Sequence, residues 1–275
     1  MPETSAPATP GIPPSGPFTW PYPRWIAHRG AGKLAPENTL AAFQCGASHG
    51  YRMFECDVRL SRDGVAFLLH DDTLERTTNG RGLAGERDWH ELAQLDAGRR
   101  HRTGAAPTPL PTLEAVARYC LESGSLLNIE IKPAPGVEAR TGAVVGRLAS
   151  QLWPRTAPPP LLTSFSIEAL HSAAEAAPEL PRGLLLDRLH PDWLETALAL
   201  GCVAVTCHHA HWRKTAVAQA RSAGLRTLSY TVNSMARAQR LLDWGVDGLI
   251  TDRVDLFRPQ ALAADHTTGS AAKAS

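Results

Sequence analysis

Short apolar runs alternate along this chain with longer stretches whose apolar positions recur at helical spacing. The apolar runs lie at 25–28, 53–57, 126–131, 161–165, 183–186, 202–207, 227–232 and 248–251. The helix-like stretches lie at 39–49, 113–122, 137–152, 167–177, 192–200, 212–223 and 234–244. Strand and helix in regular alternation indicate parallel βαβ units.

Eight such runs predict an α/β protein with the (β/α)₈ fold, the TIM barrel. An open, doubly wound sheet is the alternative. That fold usually has fewer strands and a glycine-rich fingerprint after the first strand, which the HRGAGK sequence here does not supply.

One apolar run, Val65 to Leu69, is left over and predicts an insertion after the second strand. Asp63 and Gly64 form a strong hairpin signal between alternating segments. The returning strand would bring His70 back to the end of the second strand. We therefore expect an insertion from 59 to about 110 that covers one end of the barrel.

Composition limits the class of protein. The chain has 28 basic and 27 acidic residues in 275, so its net charge gives no sign of a nucleic-acid-binding surface. The five cysteines are scattered and form no C-x-x-C pair, which favours a reducing compartment without disulfides. No apolar run approaches a membrane span, and the proline-rich N-terminus lacks the pattern of a signal peptide.

These features predict a cytoplasmic protein with one folded domain and no membrane anchor. Residues 1–22 are expected to form a disordered tail because of their prolines, 23–262 the domain, and 263–275 a second disordered tail. The oligomeric state is left open.

Polar residues gather where the first three barrel strands end, and active sites of TIM barrels lie at that face. The first strand ends at His28 and Arg29. The second and third strands each carry charges two residues apart, which project to the same side of a strand. These charges are Glu55 and Asp57 on the second strand, and Glu130 and Lys132 on the third.

The three carboxylates suggest a site for a hard cation, Mg²⁺ or Ca²⁺, which prefers oxygen ligands. Three unpaired carboxylates this close would otherwise repel one another. The neighbouring Arg29 and Lys132 suggest that the ligand bridging the cation is an anion, most simply a phosphate.

Two histidines then suit a phosphodiester. One of His28 and His70 would accept a proton from the attacking oxygen, and the other would donate one to the leaving alcohol. A single histidine more often has a structural role. A catalytic role is favoured here because the histidines, the carboxylates and the two basic residues converge on one end of the barrel.

Several nearby residues have a simpler interpretation. Asn38 is expected to cap the helix at 39–49, and Asp71 and Asp72 to be solvated turn residues. Glu130 and Lys132 could form a structural ion pair. His208 is a candidate substrate contact at a strand end, in a group of rim histidines.

The chain resembles the glycerophosphodiester phosphodiesterase family. The motifs AHRG, PENT, E-x-D, LLHDDTLERTTNG, NIEIKP, SF, YTVN and DGLITD stand in that family's order, from about Pro21 to Pro259. The segments WPYPR and PELPRGLLLD also resemble its bacterial cytoplasmic subgroup associated with glycerol-3-phosphate uptake. The resemblance implies a TIM barrel with an insertion after the second strand.

The resemblance also implies a role for each candidate residue. His28 and His70 would be the acid/base pair, and Glu55, Asp57 and Glu130 would bind a divalent cation. Arg29 and Lys132 would contact the phosphate. Tyr230, in YTVN, stands where the family often has tryptophan and would line the glycerol site. His208 stands where asparagine is common.

The implied reaction is hydrolysis of a small glycerophosphodiester, such as glycerophosphocholine or glycerophosphoethanolamine, to glycerol 3-phosphate and an alcohol. Attack by the neighbouring glycerol hydroxyl and direct attack by water both stay open. A phosphatidylinositol phospholipase C-like enzyme and a non-catalytic phosphate or polyol binding module are the alternatives.

Overall fold

The computed structural model describes residues 18–101 and 107–259. Nine strands form one sheet. They are β1 (Trp25–Ala27), β2 (Met53–Leu60), β3 (Ala66–Leu68), β4 (Leu126–Ile131), β5 (Leu161–Ser164), β6 (Arg182–Leu186), β7 (Ala204–His208), β8 (Arg226–Tyr230) and β9 (Gly248–Thr251).

Helices follow most of the strands. They are α1 (Leu40–Ser48), α2 (Trp89–Leu92), α3 (Leu113–Ser123), α4 (Glu138–Leu152), α5 (Ile167–Ala176), α6 (Trp193–Ala199), α7 (Lys214–Ser222) and α8 (Met235–Trp244). A short 3₁₀ helix, Ala84–Glu86, lies in the insertion.

Eight parallel strands close into a barrel because β1 pairs with both β2 and β9. The ninth strand, β3, runs antiparallel to β2, and Leu60 lies opposite Ala66 in that pairing. The (β/α)₈ barrel predicted from the sequence is therefore confirmed, and so is the hairpin at Asp63 and Gly64. The open doubly wound sheet is excluded.

Element boundaries differ from the expected ones where long-range pairing decides them. The second strand continues to Leu60 rather than ending at Asp57, because β3 extends its hydrogen-bonded ladder. The run predicted at 202–207 forms its strand later, at Ala204–His208. The run at 227–232 ends early, at Tyr230.

The barrel interior has an apolar lower layer and a polar upper layer. Inward-facing residues of six strands pack together at the N-terminal end: Ile26, Met53, Leu161, Ala204, Leu228 and Ile250. The outward faces of the strands and the helices around them form the larger core. The charged residues lie further along the same inward faces, at the C-terminal ends of the strands.

Part of the predicted N-terminal tail is folded against the barrel. Phe18, Trp20 and Tyr22 pack on the lower layer, and Tyr22 is buried. This corrects the expectation for residues 18–22, because the aromatic side chains cover an apolar barrel end. Residues 1–17 and 263–275 lie outside the described residues, and the proposed domain boundaries stay predictions.

Two further expectations concern the whole chain. Cys45, Cys56, Cys120, Cys202 and Cys207 are free thiols in the described structure. In the two described segments, no helix combines the length and apolar character that a membrane crossing needs.

Candidate active site

Three carboxylates meet where β2 and β4 end. Asp57 lies opposite Glu130 in the parallel register of β2 and β4, and Glu55 precedes Asp57 by two residues on the same inward face. One oxygen from each of the three lies within 4.8 Å of the others. Glu55 and Asp57 are 3% and 1% exposed, so water cannot screen their mutual repulsion.

Their hydrogen bonding leaves acceptor oxygens free. Glu55 Oε1 and Asp57 Oδ1 are buried and accept no hydrogen bond, although Lys132 Nζ lies 3.7 Å from Asp57 Oδ1. Buried carboxylate oxygens without donors are costly unless a cation meets them. This all-oxygen set therefore fits a hard divalent cation.

The ionisation of the cluster is uneven. Burial, with the charge of Asp57, raises the pKa of Glu130 to about 7. Burial and the charges of Asp57 and Glu130 raise the pKa of Glu55 well above its ordinary value. Burial also opposes ionisation of Asp57, but the charges of Arg29 and Lys132 outweigh it and lower the pKa of Asp57.

Both predicted phosphate-binding cations lie beside the carboxylates. Arg29 Nε is 3.3 Å from Asp57 Oδ2, and Lys132 Nζ is 3.0 Å from Glu130 Oε1. The Glu130–Lys132 ion pair considered from the sequence is therefore present. The Arg29 backbone N–H also donates to Glu55 Oε2 at 3.0 Å.

His28 is oriented by a carboxylate that directly follows the last barrel strand, β9. Its Nδ1 lies 2.6 Å from Asp252 Oδ1, while its Nε2 lies 3.8 Å from Glu55 Oε2. Asn233 Nδ2 donates to the other oxygen of Asp252 at 2.9 Å. With Asp252 accepting a hydrogen bond from the Nδ1–H group, Nε2 is the nitrogen that faces the carboxylate cluster.

His70 has a similar arrangement with different partners. Its Nδ1 lies 2.6 Å from Asp71 Oδ1, and Arg76 Nε donates to Asp71 Oδ2. Burial lowers the pKa of His70, and the nearby charge of Asp57 acts in the opposite direction. Two neighbouring hydrogen bonds hold its backbone, from Arg59 Nη2 to the His70 carbonyl (2.7 Å) and from Leu69 N to Asp57 O (3.0 Å).

Glu37 joins the two halves of this network. It accepts from Arg29 Nη1 at 2.8 Å and from both terminal nitrogens of Arg76, at 2.8 and 2.7 Å. Arg76 belongs to the insertion, whereas Glu37 belongs to the β1–α1 loop. The pair therefore docks the insertion against the end of the barrel.

Two expectations about supporting residues are wrong. Thr39, not Asn38, caps α1, because its side chain accepts from Ala42 N. Asn38 has φ of +58° and donates to Asp57 Oδ2 at 2.7 Å. Asp71 is not merely solvated, since it binds His70. Asp72 is exposed in a bend as expected, and it also ion-pairs with Arg59.

Aromatic rings border the pocket above the carboxylates. Tyr230 lines it together with His28, Glu55 and Glu130, and its ring meets Phe165 edge-on, 5.9 Å between centroids. The Tyr230 hydroxyl donates to the Leu186 carbonyl, 3.1 Å away. His208 packs beside Tyr230, 5.7 Å between centroids, and does not line this pocket.

Sequence reasoning missed four residues of the site, although each lies in a motif that it singled out. Glu37 belongs to PENT, Arg76 to LLHDDTLERTTNG, Asn233 to YTVN and Asp252 to DGLITD. Only their long-range contacts reveal their roles.

Comparison with known proteins gives one consistent result. The family model described as the glycerophosphoryl diester phosphodiesterase family matches residues 28–256. A glycerophosphodiester phosphodiesterase of Caldanaerobacter subterraneus is 32% identical over 234 residues, covering 82% of this chain and 93% of that protein.

Solved structures agree. A phosphodiesterase from Oleispira antarctica, in complex with the product sn-glycerol-3-phosphate, matches with a TM-score of 0.81 and 34% identity, covering 88% of this chain and 96% of that one. A glycerophosphodiester phosphodiesterase from Agrobacterium tumefaciens matches with a TM-score of 0.70 and 30% identity, covering 86% and 99%.

Proposed function

The chain belongs to the glycerophosphoryl diester phosphodiesterase family, and on that premise we propose that it hydrolyses small glycerophosphodiesters with a divalent cation. The family and the enzyme class predicted from the sequence are thereby confirmed. The proposal names glycerophosphocholine and glycerophosphoethanolamine as substrates, and glycerol 3-phosphate and the free alcohol as products. A link to glycerol-3-phosphate uptake stays a prediction.

The observation that supports the proposal best is the buried carboxylate cluster with two free oxygens. Glu55, Asp57 and Glu130 would hold Mg²⁺ or Ca²⁺. Such a cation, when bound, supplies Lewis-acid stabilisation of charge on the phosphoryl oxygens. Arg29 and Lys132 would bind the same phosphate and fix its orientation.

The two histidines would move the protons. Each has Nδ1 held by a carboxylate, so each presents Nε2 for proton transfer. One accepts the proton of the attacking hydroxyl, of water or of the glycerol, while the other protonates the leaving oxygen. Tyr230 and Phe165 would cover the apolar side of the glycerol.

The test measures glycerol 3-phosphate released from glycerophosphocholine and glycerophosphoethanolamine. We expect turnover with Mg²⁺ or Ca²⁺, its loss with EDTA, and a loss of at least about 100-fold in kcat for His28→Ala and His70→Ala. The matched control is His171→Ala, because His171 is exposed on α5.

Three results would contradict the proposal. Full activity of the His28→Ala/His70→Ala double variant would remove the histidines from the mechanism. Saturable binding of the diester without turnover, cation supplied, would favour the binding module. Faster turnover of intact bilayer phosphatidylinositol than of the deacylated diester would favour the phospholipase C-like alternative.

A further inference from the structure

A second cavity lies beside the candidate active site, between the β1–α1 loop and the insertion. Its volume is about 330 Å³, which is within the range of small-molecule sites. The β1–α1 loop contributes Lys33 and Glu37 to its lining. The insertion contributes Arg76 and Arg100.

The lining of this cavity has a surplus of positive charge. Among the described residues, Glu37 is the one carboxylate that lines the cavity, and the hydrogen bonds that its carboxylate accepts there come from Arg29 and Arg76. Within residues 18–101 and 107–259, no carboxylate forms an ion pair with Lys33 or Arg100. The Arg100 guanidinium donates there only through Nε, to the Thr78 carbonyl at 3.2 Å.

The cavity is close to the proposed phosphate contact. Glu37, in its wall, is hydrogen-bonded to Arg29 Nη1 at 2.8 Å, and Arg29 Nε is 3.3 Å from Asp57. A single side chain, Arg29, therefore separates the cavity wall from the carboxylate cluster. A group attached to a phosphate that Arg29 binds would therefore start one side chain away from the cavity wall.

We propose that this cavity is an anion subsite, in which Lys33 and Arg100 bind a carboxylate or phosphate group carried by the alcohol half of the diester. The assignment to the alcohol half rests on the proposed function. Ammonium and guanidinium groups without acidic partners form charge-assisted hydrogen bonds with such groups. Diesters with an acidic alcohol half would then be preferred over those without one.

The test compares two substrates that differ by one carboxylate, glycerophosphoserine and glycerophosphoethanolamine. We expect wild type to have the higher kcat/KM for the serine diester. In Lys33→Gln/Arg100→Gln this preference should fall by about fivefold to tenfold, as losing two exposed charge contacts predicts. The change should lie mainly in KM.

Two further variants separate charge from other effects. Lys33→Arg/Arg100→Lys keeps both charges and should keep the preference. Arg147→Gln/Arg155→Gln removes two exposed charges on α4 and in the loop before β5, and should keep it too. Thermal melting checks that every variant is folded.

A free anion is the other source of the same chemistry, and inorganic phosphate is its probe. Phosphate could raise the melting temperature of the metal-free wild type more than that of Lys33→Gln/Arg100→Gln, while the wild type shows no preference for the serine diester. That result would assign the subsite to a free anion. The subsite would be overturned if Lys33→Gln/Arg100→Gln had the same substrate preference as the wild type and the same rise in melting temperature with phosphate. Absence of turnover of either diester by wild type overturns the proposed function instead, and the phosphate comparison still decides the subsite.

Discussion

At the scale of single residues, the two histidines differ in what holds their carboxylates. Asp252, beside His28, is fixed by the neutral amide of Asn233. Asp71, beside His70, is paired with the cationic Arg76. Among the described residues, Asp252 forms an ion pair with His28 alone, whereas Asp71 shares its charge between His70 and Arg76.

This contrast predicts the effect of Asp252→Asn. The variant keeps the shape of the side chain but removes the charge that orients and stabilises protonated His28, so kcat should fall by at least about tenfold with little change in KM. Steady-state kinetics on glycerophosphoethanolamine measures this. Asp243→Asn, on the exposed face of α8, is the control. A loss that appears in KM alone would argue against a role through His28.

The ionisation of Glu130 predicts how metal binding depends on pH. Its pKa is raised from 4.5 to about 7, so the folded metal-free protein binds a proton that the unfolded chain releases above 4.5. The resulting stability is fully present below pH 4.5 and is lost as pH rises through about 7. Above that pH the ionised carboxylate is free to bind a cation.

Added Mg²⁺ should therefore raise the melting temperature more at pH 8 than at pH 6. Thermal unfolding with Mg²⁺ and with EDTA at the two pH values measures the difference. Glu130→Gln, which cannot ionise, should reduce the pH dependence of the metal effect. Equal gains at both pH values in the wild type would show that protons do not compete with the cation at Glu130.

At the scale of elements, the sequence predicted the strands and the hairpin because those depend on local patterns. Alternation along β2 and β4 gave the inward positions of Glu55, Asp57 and Glu130. The Asp63–Gly64 turn gave the hairpin that precedes His70. Both signals lie within a few residues of what they predict.

Contacts made only when the barrel closes had no such signal. Asp252 and His28 are 224 positions apart in the chain. Asn38 and Thr39 are both good N-cap residues, and only the long-range hydrogen bond from Asn38 to Asp57 decides between them. Local propensity therefore identified the right segment and assigned the wrong residue.

Gly32, in the β1–α1 loop, predicts a coupling between that loop and the site. Its φ is +57°, and a Cβ there would lie 2.2 Å from Asp252 Cα. Gly32→Ala must displace the backbone that carries the His28 partner. Gly32→Ala should lower the free energy of unfolding by more than the roughly 1 kcal/mol that left-handed strain alone costs. Its kcat should fall as well.

Gly124→Ala separates the two causes of that loss. Gly124, after α3, has φ of +64°, and a Cβ there would meet nothing within 4 Å. The Gly124→Ala variant should lose about 1 kcal/mol in its free energy of unfolding through backbone strain, and it should keep the wild-type kcat. Urea unfolding and kinetics on both variants measure this. If Gly32→Ala and Gly124→Ala lost equal stability and both kept full activity, the backbone would be accommodating a Cβ at position 32 without displacing Asp252.

At the scale of the whole molecule, the barrel separates stability from chemistry at its two ends. The proposed catalytic residues lie at the C-terminal ends of the strands, and the aromatic arm at 18–22 covers the N-terminal end. The apolar layer of the barrel interior lies between them. Changes at the N-terminal end should therefore alter stability without altering the reaction.

Tyr22 tests this separation. It is 5% exposed, its hydroxyl donates to the Pro159 carbonyl at 2.9 Å, and its ring packs edge-on against Trp20 at 4.8 Å. Tyr22→Ala should lower the free energy of unfolding by about 3 kcal/mol through lost packing, and Tyr22→Phe by about 1 kcal/mol through the lost hydrogen bond.

Both Tyr22 variants should keep the wild-type kcat at a temperature where they are folded. Urea unfolding gives the stabilities, and turnover of glycerophosphoethanolamine gives kcat. Because Tyr22→Phe keeps the ring, the difference between the two variants isolates the packing of the arm on the barrel. A fall in kcat at unchanged stability would mean that the arm acts on the site through the barrel interior, and the two ends would then not be independent.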